Sequence, residues 1–185
     1  EPGVEIRFSG TDPNSSGESP NGVEFVVSGQ LIAEGTTADP IRFHGQNLPG
    51  AADFATGLRF ASGAQNSTLK HVNIEGLAHG IDVRGTLSLT IEDVFIDVTK
   101  TALHREANND LRLVRTELNG GDFAADLVAL GEERFFQYQS GEVNGDILFR
   151  GSQLFNSEIL LSNVSMDGSL KVEGDLQAGA SISLE

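Results

Sequence analysis

The stretch TLKHVNIEGLAHGIDVRGTLSLTIEDVFID, residues 68–97, carries one phrase twice. The first copy, TLKHVNIEG (68–76), places Ile74 before an acidic residue, and the second, SLTIEDVFID (88–97), does the same with Ile96. Three further copies follow: DLRLVRTELNG (110–120), YQSGEVNG (138–145) and LLSNVSMDG (160–168). Their last apolar residues are Ile74, Ile96, Leu118, Val143 and Met166, so the copies step by 22, 22, 25 and 23 residues. A period of that size marks a chain wound into stacked repeats.

Between the copies lies a second alternating segment: HGIDVRG (79–85), TALHRE (101–106), DLVALG (126–131), DILFRG (146–151) and SLKVEG (169–174). Apolar residues recur there at every second position, as in Ile81/Val83 and Leu170/Val172, which is the period of a strand. No segment carries a helical stripe over three turns. Several short strands per repeat without a helix describe a parallel β-helix, whereas leucine-rich repeats of similar length need a denser Leu pattern.

Composition narrows the function classes. The 185 residues suit one domain with a continuous core. Eleven Phe against one Tyr and no Trp favour a dry interior over a wet recognition surface. A net charge of −15 repels phosphate backbones and anionic lipid, so nucleic acid and membrane surfaces are poor partners, and neither nucleic-acid binding nor membrane insertion is expected. Only Lys70, Lys100 and Lys171 are lysines, a surface compatible with a saline environment. With no Cys, disulfides and thiolate metal sites are ruled out. The longest apolar cluster, FAADLVAL (123–130), is too short to span a bilayer. The chain opens at Glu1 without an initiator Met or signal peptide, which is the expectation for a mature processed chain or a segment of a larger one.

GTTADPIRFHG (35–45), TGLRFASGAQNSTLKHVNIEG (56–76) and HGIDVRGTLSLTIEDVFID (79–97) resemble the right-handed parallel β-helix proteins of the pectin-lyase-like class, particularly large microbial surface proteins. The likeness is close over residues 23–97 and periodic beyond. It implies a fold and an extracellular or cell-surface location, but no activity, because the fold hosts lyases, hydrolases, adhesins and inert stalks. The expected architecture is therefore one all-β domain over residues 1–185: a right-handed parallel β-helix of about eight coils, each 22–25 residues, roughly 38 Å long at ~4.8 Å per coil, without evident end caps. Its inward set is expected to include Leu69, Ile74, Ile81, Val83, Leu89, Ile91, Ile96, Leu113, Leu118, Ile147, Phe149, Leu161 and Leu170.

Candidate sites are few. The residues after the anchors, Glu75, Asp97, Asn119, Asn144 and Asp167, would stack about 4.8 Å apart, where carboxylates can share a cation. Asn, Asp and the Gly that mostly follows them are also what a tight turn selects, and turn chemistry is the better account, so no metal, cofactor or catalytic residue is assigned. The acidic pairs Glu92-Asp93 and Glu132-Glu133 put neighbouring carboxylates on opposite faces of a strand, the wrong geometry for a sugar-cleaving pair. His44, His71, His79 and His104 lack ligand spacing and are read as surface residues, His71 pointing out from a strand. Tyr138 is the only ring with a polar tip for stacking on a sugar, and TDPNSSGESP (11–20) reads as an exposed loop. Asn14, Asn66 and Asn163 head sequons that glycosylation could use in a secreted protein.

The two ends, ASISLE (180–185) and EPGVEIRF (1–8), each look like half of one coil. Written tail before head, they align Ile182, Leu184, Val4, Ile6 and Phe8 in one alternating row. The expectation is a structural subunit, not an enzyme, that binds copies of itself head to tail into a fibre through those five residues. Surface glycans or other surface proteins are further candidate partners. The alternatives are a stalk segment of a large surface adhesin and a polysaccharide lyase or hydrolase.

Overall fold

The computed structural model describes residues 1–8, 22–45, 55–85, 87–107, 110–128, 135–154, 158–176 and 181–185. They form fifteen strands joined in one continuous parallel sheet, with no helix among the described residues. The sheet wraps into three faces, each seven strand segments deep.

Face one stacks β3 (Ile32–Glu34), the first parts of β6 (Ser67–Val83) and β7 (Leu89–Glu106), β8 (Leu111–Val114), the first parts of β11 (Phe135–Asn144) and β13 (Glu158–Asp167), and β15 (Ser181–Leu184). Face two stacks β1 (Glu5–Phe8), β4 (Ile41–Gly45), the middles of β6 and β7, β9 (Glu117–Gly120) and the second parts of β11 and β13. Face three stacks β2 (Glu24–Val27), β5 (Thr56–Phe60), the ends of β6 and β7, β10 (Phe123–Val128), β12 (Ile147–Leu154) and β14 (Leu170–Leu176). The chain is thus a parallel β-solenoid.

It holds six complete coils with a partial coil at either end, where about eight of 22–25 residues were expected. The anchors from Ile74 onward keep the expected steps, but Ile6 pairs with Phe43 and Phe43 with Ile74, steps of 37 and 31 residues. Residues 9–21 and 46–54, outside the described ones, lie within those two steps and lengthen them.

One column explains why the repeat folds this way. Ile6, Phe43, Ile74, Ile96, Leu118, Val143 and Met166 are mutual neighbours across the face-two ladder, and the five middle members are buried. Alternation puts each one inward, and each full burial stabilises by ~1.5–3 kcal/mol. The expected inward set is buried except for Leu170, which is partly covered at the last coil. Arg105 takes an inward place between Val83 and Leu127, its guanidinium 5.9 Å from the Phe136 ring centre. Gly45 is needed for close stacking: a Cβ there would lie 2.2 Å from the Gly76 carbonyl oxygen.

From β6 onward, faces one and two meet at a corner made by a single left-handed residue per coil. These are His71, Asp93, Arg115, Ser140 and Asn163, with φ between 48° and 55°. Each lies three residues before an anchor, so the corner repeats with the anchors' period. His71 is therefore a corner residue and not an outward position on a straight strand.

Candidate functional site: the end faces and the charged ladder

The first and last coils leave their inward rows half covered. At the first coil, Val4 is 40% and Phe25 37% exposed, and Ile6 is partly covered. At the last, Leu184 is 68% and Val172 37% exposed, and a recess of 390 Å³ opens between Leu161, Val164, Met166, Leu170, Leu184 and Glu185. Of the five residues expected to join units, Val4 and Leu184 offer open apolar surface and Ile6 a part of its own. Phe8 is only 3% exposed, already inside the core, so it has little surface left to contribute. Ile182 pairs with Ile159 along the backbone, and its side chain lies outside the described ones.

The two ends are stepped. At the last coil, β15 stands one strand above β13 on face one, while among the described residues nothing covers β14 or the second part of β13. At the first, β1 and β2 extend one strand below β4 and β5, while among the described residues nothing lies beneath β3. The projection at one end thus matches the notch at the other.

A second constellation lies on the outer side of face three and escaped the residue-by-residue reading. Asp82, His104 and Asp126 sit on successive coils, in register, at steps of 22 residues. The His104 ring is held with Nδ1 2.8 Å from Asp82 Oδ1 and Nε2 3.8 Å from Asp126 Oδ2. Arg84 Nε donates to Asp82 at 2.8 Å, Arg59 Nε lies 3.4 Å from Asp82, and Arg150 Nε donates to Asp126 at 2.9 Å. Arg59 also pairs with Glu24, and Arg84 with Glu106. Burial works to raise the Asp82 carboxyl, but the His104 hydrogen bond and the neighbouring cations outweigh it and hold the group below its usual value. His79, on the same face, is lowered by burial and by the Lys100 charge. A His between two carboxylates is the geometry of acid–base chemistry, yet here each carboxylate is also gripped by Arg, which makes the row an alternating ion ladder.

The corner column borders a shallow groove of 710 Å³. In it, Arg115 donates to Glu92 Oε1 at 2.6 Å and to Asp93 Oδ1 at 2.7 Å. The left-handed corner turns Asp93 so that both acids meet one guanidinium, where a straight strand would have set them on opposite faces. Glu92 is lowered by its bonds to Lys70 and Arg115, and Asp93 by its bond to Arg115. Tyr138 is buried, its hydroxyl 2.7 Å from the Thr116 carbonyl and 2.9 Å from that of Glu142, so it offers no stacking face. Burial pushes its hydroxyl up.

The turn column behaves as turn chemistry: Asn144 Nδ2 donates to Asn119 Oδ1 at 2.6 Å, and Gly76 and Gly145 hold positive φ. Among the described residues no group of three or more His, Cys, Asp or Glu is placed to hold a metal. Asn66 accepts from the Ser88 amide at 2.9 Å, Asn163 is exposed at the corner, and Asn14 lies outside the described residues. Comparison with known protein families, curated proteins and solved structures finds no match to this chain.

Proposed function

We propose that this chain is a structural, extracellular β-solenoid unit that stacks head to tail into a fibre and carries no catalytic task. The observation behind the reading is the pair of stepped, half-covered end faces, each with an open strand edge and an apolar interior. Covering Val4, Phe25, Val172 and Leu184 contributes on the order of 4 kcal/mol, scaling each by the surface still open. Ordering two units costs about 4–15 kcal/mol, so ladder hydrogen bonds on three faces supply the remainder and assembly depends on concentration. The contact is heterologous and does not close, which yields fibres and not rings. The extracellular, pectin-lyase-like assignment rests on the resemblance over residues 23–97. Surface glycans or other surface proteins remain secondary partners of such a fibre, while the charge of −15 argues against nucleic acid.

Ile6→Asp tests the reading, because it puts a charge into the end face and leaves the central coils untouched. The expected result is a folded chain that no longer forms long assemblies. Unchanged assembly by Ile6→Asp, or a wild-type chain that stays monomeric at high concentration and salt, removes the fibre and leaves a stalk segment of a longer solenoid. A second reading, acid–base cleavage of a polysaccharide, has His104 between Asp82 and Asp126 in its favour. Release of new sugar ends that disappears in His104→Ala would establish it.

A further inference from the structure

We infer that the second copy docks in a single register, with Arg7 of the incoming unit set on Asp167 and β15 filling the notch beneath the incoming β3. This rests on the stacking reading and specifies its partner surface. The ladder supplies the register, because each column can be followed without a break from the first coil to the last. Arg7, His44, Glu75, Asp97, Asn119, Asn144 and Asp167 are successive neighbours, so the next coil places Arg7 of the second copy directly on Asp167. The inward column beside it sets Ile6 on Met166.

The other two faces agree. On face one, the column Ala33, Leu69, Ile91, Leu113, Tyr138, Leu161, Leu184 brings the incoming Ala33 onto Leu184, a small residue over the most exposed large one. On face three, the columns that start at Phe25 and Val27 end at Leu170 and Val172. Apolar residues thus meet apolar residues on all three faces at once.

On face two, charge favours this register over its neighbours. A slip of one residue turns every inward side chain outward. A slip of two keeps the alternation, but in one direction it sets Glu5 on Asp167, and in the other it moves Arg7 onto Ser165 and leaves Asp167 without a cation. On face two, only the unslipped arrangement joins opposite charges at the outer edge, while on face one it brings Glu34 next to Glu185. Within one copy Arg7 is held 2.8 Å from Glu5, so it is already extended along the outside of β1, beside the position Asp167 would take.

The chain has no Cys, so an introduced pair reports on the contact alone. In the proposed register Glu5 falls on Ser165, both exposed, at the ~4.8 Å strand spacing that suits a disulfide. The Glu5→Cys/Ser165→Cys chain, folded by circular dichroism and mildly oxidised, is expected to give a reducible ladder of covalent oligomers on a denaturing gel. Glu5→Cys/Asp167→Cys, shifted by two residues, is expected to give none. A ladder from the shifted pair alone, or from neither pair while the unsubstituted chain forms filaments, overturns the register and spares the stacking. Absence of filaments from the unsubstituted chain overturns both.

Discussion

Replacing Asp82 by Asn removes the charge at the centre of the face-three ladder and keeps the side chain's size. The Asp82 side chain is 11% exposed and faces His104 and Arg84 at 2.8 Å and Arg59 at 3.4 Å. A hydrogen bond to a charged group is worth ~1.5–3 kcal/mol, and removing one partner of a buried pair ~3–5 kcal/mol. Arg84 reaches solvent and the Asn carbonyl can still accept one bond, so the expected loss is about 2–3 kcal/mol. With a urea m-value of ~2–3 kcal/mol/M, that is a midpoint lowered by about 1 M at pH 7 with m unchanged. The pH dependence follows from the lowered Asp82 carboxyl. A folded-state value below the unfolded one of ~3.9 means the stabilisation is complete above that pH and drains away as pH falls through the folded value. The gap between wild type and Asp82→Asn is therefore flat from pH 7 to about 5 and narrows below about 4. A midpoint within about 0.2 M of wild type, or a gap that persists unchanged deep into acid, refutes the ladder as a stabilising network.

Further expectations bear on the coil and its ends. Ile74→Ala, in the fully buried anchor column, is expected to lose ~2–5 kcal/mol in a urea titration, and a loss under 1 would place the column outside the core. Ser140→Gly relieves a left-handed corner at φ 55° and is expected to gain up to about 1 kcal/mol in the same titration, since the strain removed exceeds the entropy added. Arg7→Asp is expected to raise the concentration at which light scattering first reports filaments, and adding Asp167→Arg to restore it; failure of the double variant to recover disfavours the Arg7–Asp167 pair.

The anchors were legible because Ile74, Ile96, Leu118, Val143 and Met166 share a chemistry as well as a spacing. The corner three residues before them was not, although it repeats with the same steps. His, Asp, Arg, Ser and Asn occupy it, and neither a Gly nor a common residue type betrays the left-handed backbone there. Asp82, His104 and Asp126 were written at intervals of 22 residues, but Asp, His and Asp look like scattered surface residues until the coil stacks them. Tyr138 stood out in the sequence only as the one ring available to stack on a sugar, and only the stacked turn shows the two carbonyls that hold its hydroxyl inside. The five residues proposed to join units form an alternating row in the sequence, but that Phe8 is already covered followed only from packing.

The axial repeat of a filament grown from the purified chain tests the stacking most directly. In the proposed contact each copy advances the assembly by seven strand spacings of ~4.8 Å, so image averaging or fibre diffraction is expected to give a subunit repeat of about 34 Å together with the 4.8 Å strand reflection. Filaments with a different repeat, or separate particles about 4 nm across at every concentration, would contradict it.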